Sequence, residues 1–432
     1  MKILHINYSD SIGGAARAAY RIHNSLNQKY KSTDFKSEMQ VIHKSKDDPE
    51  IIIRRGFLSG KFSYKILSFL NKLLMINFKT RNYTIHSTAL IKTNFLRYRK
   101  DSKILKNKII HLHWIGNLIS IEEIGKIKEP IVWTLHDQWP FCGAEHYSDS
   151  EFENSNERYK IGYKNSNRPL YEKGIDINKK TWERKKNAWN NQMNIICPSN
   201  WMANCVRESL LMSNWRIEVI PNPIDTKFWS PLEKNICRKN INLSTENIVI
   251  LFGAIDSVGD KRKGSDLLQK SLFFLKKMLS SELQSKIKLV VFGGRKKNIQ
   301  TDFGFPLQFL GEINDDKILR NLYSAADIIV VPSRKESFGQ IASEAQSCGI
   351  PVAAFRTSGL IDIVEHKKTG HLAEPFNESA LAESIKWLIE DKNRLLKISE
   401  NSRSRAQTLW DQKIIAKKYF DFYQKVLNER KT

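Results

Sequence analysis

The sequence predicts an α/β protein built from two doubly wound, Rossmann-like domains facing a central cleft, and three observations predict it. Short apolar runs of strand length alternate with longer helical patterns, and they do so in two successive series. The series are separated by PNPIDTKFWSP (221–231), which holds three prolines and no regular period and so reads as a linker. With 432 residues, at roughly 150 per domain, the chain suits two large domains better than one. The expected division is 1–218 for the first domain, 219–245 for the linker and 246–407 for the second. A last helix, about 408–432, is expected to return to the first domain.

In the first series, KILHINY (2–8) reads as a strand, SDSIGG as a loop, and a helix begins near Gly14. Small residues there let the helix start close to the strand end, where its unpaired N–H groups favour an anion. KIIHLHW (108–114) and PIVWTLHD (130–137) are further strands. Residues 145–190 are polar with little period and read as a long ordered loop or lid, ahead of a helix around Trp182–Asn191. MNIICPS, a helix from Ser199 or Asn200, and RIEVI close the series. The second series opens with NIVILFGAI (247–255) and a helix near Ser265–Leu279. KIKLVVFGG (286–294), PLQFLG (306–311), ADIIVVPS (326–333) and PVAAF (351–355) supply strands, with a helix from about Ser337 and helical stretches from Ser379 onward.

Charge is distributed unevenly. The formal net charge is +24, and residues 51–110 hold 14 Lys/Arg against one acid, Asp101, which is more than half of that excess. Such a balance favours anionic partners. Within it, residues 61–79 place Phe62, Ile66, Phe69, Leu70, Leu73 and Ile76 on one helical face, with Lys61, Lys65, Lys72 and Lys79 in a stripe beside it. Two readings fit: a surface helix whose apolar face enters the domain core, or a helix lying in the interface of an anionic membrane. No helix-turn-helix, zinc-finger or aromatic RNA-binding signature supports nucleic acid.

Other classes are excluded. The N-terminus has no secretory apolar run, and no stretch of about 18 uncharged apolar residues exists to span a bilayer. The five cysteines (Cys142, Cys197, Cys205, Cys237, Cys348) form no CxxC pair, so a reducing cytoplasm and a core-filling role are expected. His111 and His113 share a strand face, a spacing that can ligate a metal, but no third ligand is evident.

The strongest local pattern is ADIIVVPSRKESFGQIASEAQSCGIPVAA (326–354). A buried strand leads to Glu336, followed by a helix expected to carry Ser337, Phe338 and Gly339 in its first turn, with Gly339 opening the N-terminus to a phosphate. Glu344, eight residues on, would lie about 12 Å further along the axis if both were helical. Two carboxylates so placed can hold opposite ends of an extended ligand, or can be a capping and an exposed glutamate.

This segment resembles the C-terminal E-x7-E signature of family 4 retaining glycosyltransferases of GT-B fold. VIPNPIDTKFWSP (219–231) is similar to the family's linker, with Pro223 where a glycine is usual. LQFLGEINDDKILRNLYSAAD (307–327), the TGHL run (369–372) and the opening strand with Gly13 and Gly14 also fit, and WTLHDQWPFCGAEHY (133–147) resembles a bacterial subgroup that builds surface polysaccharides. The resemblance implies that Glu336 touches the donor sugar near its anomeric centre and Glu344 binds the ribose hydroxyls. It implies that Phe338 and Gly339 offer backbone N–H groups to the diphosphate. Lys263, in DKRKGSDLL, would neutralise that diphosphate, and His136 would contact the transferred sugar. Gly13 and Gly14 would let diphosphate and acceptor approach. Where the family often has an arginine stands Ala254, so either Arg262 or Lys261 substitutes or the grip on the diphosphate differs. The subgroup's cysteines after this HY are missing from 141–168, apart from Cys142. The implied activity needs no metal or cofactor. It transfers a sugar from a nucleotide sugar to a polyprenyl-diphosphate-linked glycan of an O-antigen, capsule or exopolysaccharide, at the inner face of the cell membrane. A soluble acceptor, or a non-catalytic basic lipid-binding protein, are the rival readings.

Overall fold

The computed structural model describes residues 1–31, 33–53, 66, 69, 71, 73, 75–80, 84–92, 108–149, 157–253, 261–294 and 302–429. The chain forms two units: Met1–Pro223 with Lys413–Thr432, and Ile224–Gln412.

The first unit is built on a seven-stranded sheet, β1 (Lys2–Ile6), β2 (Lys36–Val41), β3 (Ile51–Ile53), β4 (Lys108–Leu112), β5 (Ile131–Thr134), β6 (Asn194–Cys197) and β7 (Arg216–Val219). Its order is β3-β2-β1-β4-β5-β6-β7, every pair parallel. The direction of winding reverses between β1 and β4, and ligands of such sheets sit beyond the strand ends at that switch. Both faces are covered, as a parallel sheet requires. Alternate residues split the strands: Leu4, Ile6, Ile110, Leu112, Ile131, Trp133 and Ile195 face one core. Ile3, Ile109, Val132 and Ile196 face the other, together with Ile22 and Leu26 of α1 (Gly14–Tyr30).

The second unit holds a six-stranded parallel sheet, β8 (Ile248–Gly253), β9 (Ile287–Phe292), β10 (Leu307–Phe309), β11 (Ile328–Val331), β12 (Val352–Phe355) and β13 (Gly370–Ala373). Its order is β10-β9-β8-β11-β12-β13, with the switch between β8 and β11. The chain passes between the units twice, and the two passages pair: Ile224 N donates to Trp410 O, and Gln412 N to Ile224 O, both at 2.8 Å. The final helix Gln412–Glu429 then lays Ile415, Tyr419, Phe422, Tyr423 and Val426 into the first unit's core beside Ile3 and Ile109.

Several expectations are corrected. Strands β2 and β3 were not foreseen, because KSEMQV at the sheet margin is half polar. The expected linker contains a helix, Lys234–Asn240, capped by the Glu233 side chain. The helix expected near Trp182–Asn191 is α2 (Ile177–Ala188); it starts earlier because the Asp176 carboxylate accepts from Lys179 N and caps it. The described part of the expected loop or lid is tied down: Arg158 is buried against Asp176 (2.6 Å) and Glu172 (3.5 Å), and the Tyr163 hydroxyl bonds Glu145, while residues 150–156 lie outside the described residues. All five cysteines are buried and outside any disulfide, in keeping with a core role.

Of the amphipathic segment, Lys61, Phe62, Lys65, Leu70 and Lys72 lie outside the described residues. Ile66, Phe69, Asn71, Leu73 and Met75 are helical. The helix docks by Asn71, which bonds Thr88 and His86 O, and by Met75, packed near Phe78. The described residues of its apolar face point away from the core: Ile66, Phe69, Leu73 and Ile76 are 44%, 60%, 43% and 65% exposed. No helix among the described residues is long and apolar enough to cross a membrane.

Candidate active site

Two loops meet beyond the β8/β11 switch of the second unit. One is the turn Lys261–Lys263 before the helix Ser265–Met278; the other runs from Pro332, after β11, to Gly339. Gly264 joins them. Its φ is +71°, and a Cβ there would lie 2.0 Å from the Pro332 carbonyl oxygen, so only glycine lets the turn press against the strand end. Arg334 N donates to Arg262 O at 2.7 Å, and the Arg334 guanidinium grips Asp266 at 2.7 and 2.8 Å.

This clamp brings three predicted residues together. Lys263 Nζ is 2.6 Å from Glu336 Oε1, and Arg262 Nη1 is 3.7 Å from Glu336 Oε2. Ser333 Oγ donates to Glu336 Oε1 at 2.9 Å, and Glu336 N donates to Ser358 Oγ at 2.9 Å. Burial by itself would raise the Glu336 carboxyl, but Lys263 and Arg262, with the hydrogen bonds from Lys263 and Ser333, outweigh it and hold the group below the ordinary carboxylate range. The side chain keeps 13% exposure, so a ligand has access. Ala254 lies outside the described residues; Arg262 supplies a second cation here.

The E-x7-E geometry differs from expectation. The helix is Gln340–Ser347 (α3 below), so Glu336, Ser337 and Phe338 belong to the loop before it. Gly339 stands at its N-cap with φ +103°, and a Cβ would meet Leu360 Cδ2 at 3.0 Å. The 12 Å axial separation therefore does not apply. The Phe338 ring is buried in the core, edge-on to Trp410, which leaves only its backbone for a ligand. Neither the Phe338 nor the Gly339 N–H makes a hydrogen bond among the described residues. Glu344 is buried in α3 and accepts from the Tyr323 hydroxyl at 3.0 Å, a contact separate from the Glu336 group.

In the first unit, Gly13 and Gly14 are exposed at the start of α1, whose first turn carries no acid. His136 lies two residues past β5 and is 9% exposed; burial pushes its imidazole down to about 4, only partly opposed by Asp137. Its Nε2 is 3.1 Å from His113 Nδ1. The third partner that the HLH spacing lacked is present: His5, paired in register with His111, places its donor atom within 4.8 Å of those of His111 and His113. Yet both His111 nitrogens are engaged, with the Tyr423 hydroxyl (2.7 Å) and Thr134 Oγ1 (2.8 Å), and so are both of His113, with His136 and His5. The set reads as a hydrogen-bonded layer. His5 was legible only as a same-face residue of the first strand. Ser333 and Arg334, in the same loop as Glu336, were missed because their contacts to Glu336 and Asp266 leave no period to read, and Ser358 because it comes from the end of β12.

Paired doubly wound sheets, with a cation-bound glutamate ahead of a helix N-terminus, define the class of the GT-B glycosyltransferase folds. Residues 234–405 match the model of glycosyl transferases group 1, and residues 76–228 match that of glycosyltransferase family 4, so the chain carries both domains. Among curated proteins it is 31% identical over 197 residues to D-inositol 3-phosphate glycosyltransferase 1 of Catenulispora acidiphila, covering 42% of this chain and 45% of that one. The chain thus spans about half the length of the curated relatives it matches. Among solved structures, sucrose-phosphate synthase from Thermosynechococcus elongatus superposes with a TM-score of 0.67 at 19% identity, over 99% of both chains. Anabaena HepE in complex with UDP and glucose gives 0.63 at 17%, over 98% of this chain and all of that one. These two show the fold.

Proposed function

We propose that the protein is a retaining, metal-independent glycosyltransferase that uses a nucleotide sugar. The observation that carries this reading is the Lys263–Glu336–Arg262 group at the β8/β11 switch, next to the Phe338 and Gly339 N–H groups, which make no hydrogen bond among the described residues. A diphosphate at that N-terminus meets backbone donors and two cations, while Glu336 accepts from sugar hydroxyls. In the reaction the anomeric C–O bond to the diphosphate breaks and a bond to the acceptor oxygen forms on the same face. The acceptor proton passes to the leaving phosphate oxygen. Lys263 stabilises the charge that develops on the diphosphate, and His136 and Glu336 position the sugar. Glu344 serves the ribose, and Gly13 and Gly14 keep the first loop open.

For the acceptor we propose a polyprenyl-diphosphate-linked glycan in bacterial surface-polysaccharide synthesis, reached from the cytoplasm at an anionic membrane. The exposed apolar face at Ile66, Phe69, Leu73 and Ile76, within the lysine-rich 51–110 region, favours it. A soluble phosphorylated acceptor is the second reading, favoured by the name of the inositol phosphate relative. The test is release of nucleoside diphosphate from a donor panel, with either a lipid-linked extract or inositol phosphate as acceptor. We expect turnover that depends on the lipid-linked extract, and a loss of kcat/KM of about 10²–10³ in both Lys263→Ala and Glu336→Gln. Variants that match the wild type would overturn the site, and turnover with inositol phosphate alone would overturn the lipid acceptor.

A further inference from the structure

The histidine layer of the first unit has a direction. His5, His111, His113 and His136 lie on one sheet face, since His5 and His111 are register partners and His111 pairs with Val132, two residues before Thr134. Three of them form a line. His136 Nε2 contacts His113 Nδ1 at 3.1 Å, and His113 Nε2 contacts His5 Nδ1 at 2.9 Å, with successive rings inclined by only 23° and 18°. His111 does not join it, because its nitrogens are taken by Tyr423 and Thr134. At the inner end, His5 Nε2 is buried without a hydrogen-bond partner among the described residues. At the outer end, His136 Nδ1 makes no hydrogen bond among them.

A neutral imidazole offers one N–H and one lone pair. Burial, together with the neighbouring rings, keeps His5 and His113 far below the ordinary histidine value, so the line consists of neutral rings. Only two proton patterns satisfy both contacts. With the protons pointing inward, His5 would carry an Nε2–H with no acceptor in the core. With the protons pointing outward, His5 Nε2 keeps only an unused lone pair, and His136 carries its proton on Nδ1. Orphaned buried N–H groups are the rarer defect, whereas an under-used acceptor is tolerated. We propose that His113 and His5 are positioning residues that hold His136 as its Nδ1–H tautomer, so that the end of β5 offers a hydrogen-bond donor to a substrate oxygen. This rests on the reading that His136 meets the transferred sugar.

The test uses the full chain with ¹⁵N-labelled histidine, read by two-bond ¹⁵N–¹H correlation at about pH 8, well above the histidine range. The His136 signal, identified by its absence in His136→Gln, is expected to show a protonated Nδ1. In His113→Phe, which keeps a ring but removes both nitrogens, no donor fixes His136 Nε2 as the acceptor, so the single Nδ1–H form should give way to a mixture of both neutral tautomers. There kcat should fall about 2- to 10-fold as the donor form is diluted, with donor KM little changed. His113→Asn restores an amide donor at the Nδ1 position and should recover both the tautomer and most of kcat. An Nε2–H signal in the wild type, an unchanged tautomer in His113→Phe, or shifts of metal-bound nitrogens at His5 and His113 would overturn the assignment. The spectra decide this whether or not a donor has been found. The expected tautomers with unchanged kcat in both His113→Phe and His136→Gln would confirm the line and sink the sugar-contact reading beneath it.

Discussion

Glu336 is a carboxylate kept ionised against its own burial, and Lys263, 73 residues earlier, is the main reason. Removing that cation leaves burial with less opposition. Lys263→Ala is therefore expected to raise the Glu336 pKa, so that the acidic limb of the kcat/KM profile moves upward by about one pH unit or more. In Glu336→Gln that limb should vanish. Glu336 and Lys263 were visible in the sequence as candidates, because a glutamate after a buried strand and before a helix is a local pattern. Their pairing was not. It depends on Gly264 letting one loop press on Pro332, and on Gly339 at φ +103° delaying the helix past Phe338. Neither close approach leaves a period to read.

Elements in the cores were the most legible, because an apolar run bounded by turn residues identifies a buried parallel strand such as Ile328–Val331 or Val352–Phe355. What escaped was tertiary anchoring by polar groups. Helix α2 turns Lys185 fully inward, where its amine donates to the Cys142 and Gly143 carbonyls at 3.0 and 2.7 Å and to Trp139 O, 3.8 Å above the Trp139 ring. Burial pushes this amine down to about 7. A lysine in a polar stretch reads as surface, yet this one pins the loop that follows His136. Lys185→Met should cost about 3 kcal/mol, since several buried carbonyls lose their donor at once. Urea unfolding followed by tryptophan fluorescence would show it, and an unchanged midpoint would mean that the loop is held by other contacts.

For the molecule as a whole, the net charge of +24 is concentrated in residues 51–110, the region of the proposed membrane contact. Ile66, Phe69, Leu73 and Ile76, the described residues of the apolar face, are exposed and do not enter the core. Flotation with anionic vesicles should capture the protein, and added salt should weaken the capture. Reversing Lys61, Lys65 and Lys72 to Glu should reduce partitioning at least about 100-fold, at roughly 1 kcal/mol for each lysine lost. Equal binding to neutral vesicles would contradict the electrostatic part.

The return of the last helix to the first unit has a further consequence, for the order in which the chain can mature. Ile415, Tyr419 and Tyr423 close the sheet face that holds Ile3 and Ile109, and Tyr423 is the hydroxyl partner of His111. On a ribosome adding roughly 5–20 residues per second, the N-terminal sheet is made first and waits with that face open. The second unit has all its residues before the first can finish its core. The first-made half is thus the last to be completed, and a nascent chain stopped before Lys413 would expose an apolar sheet face that chaperones bind.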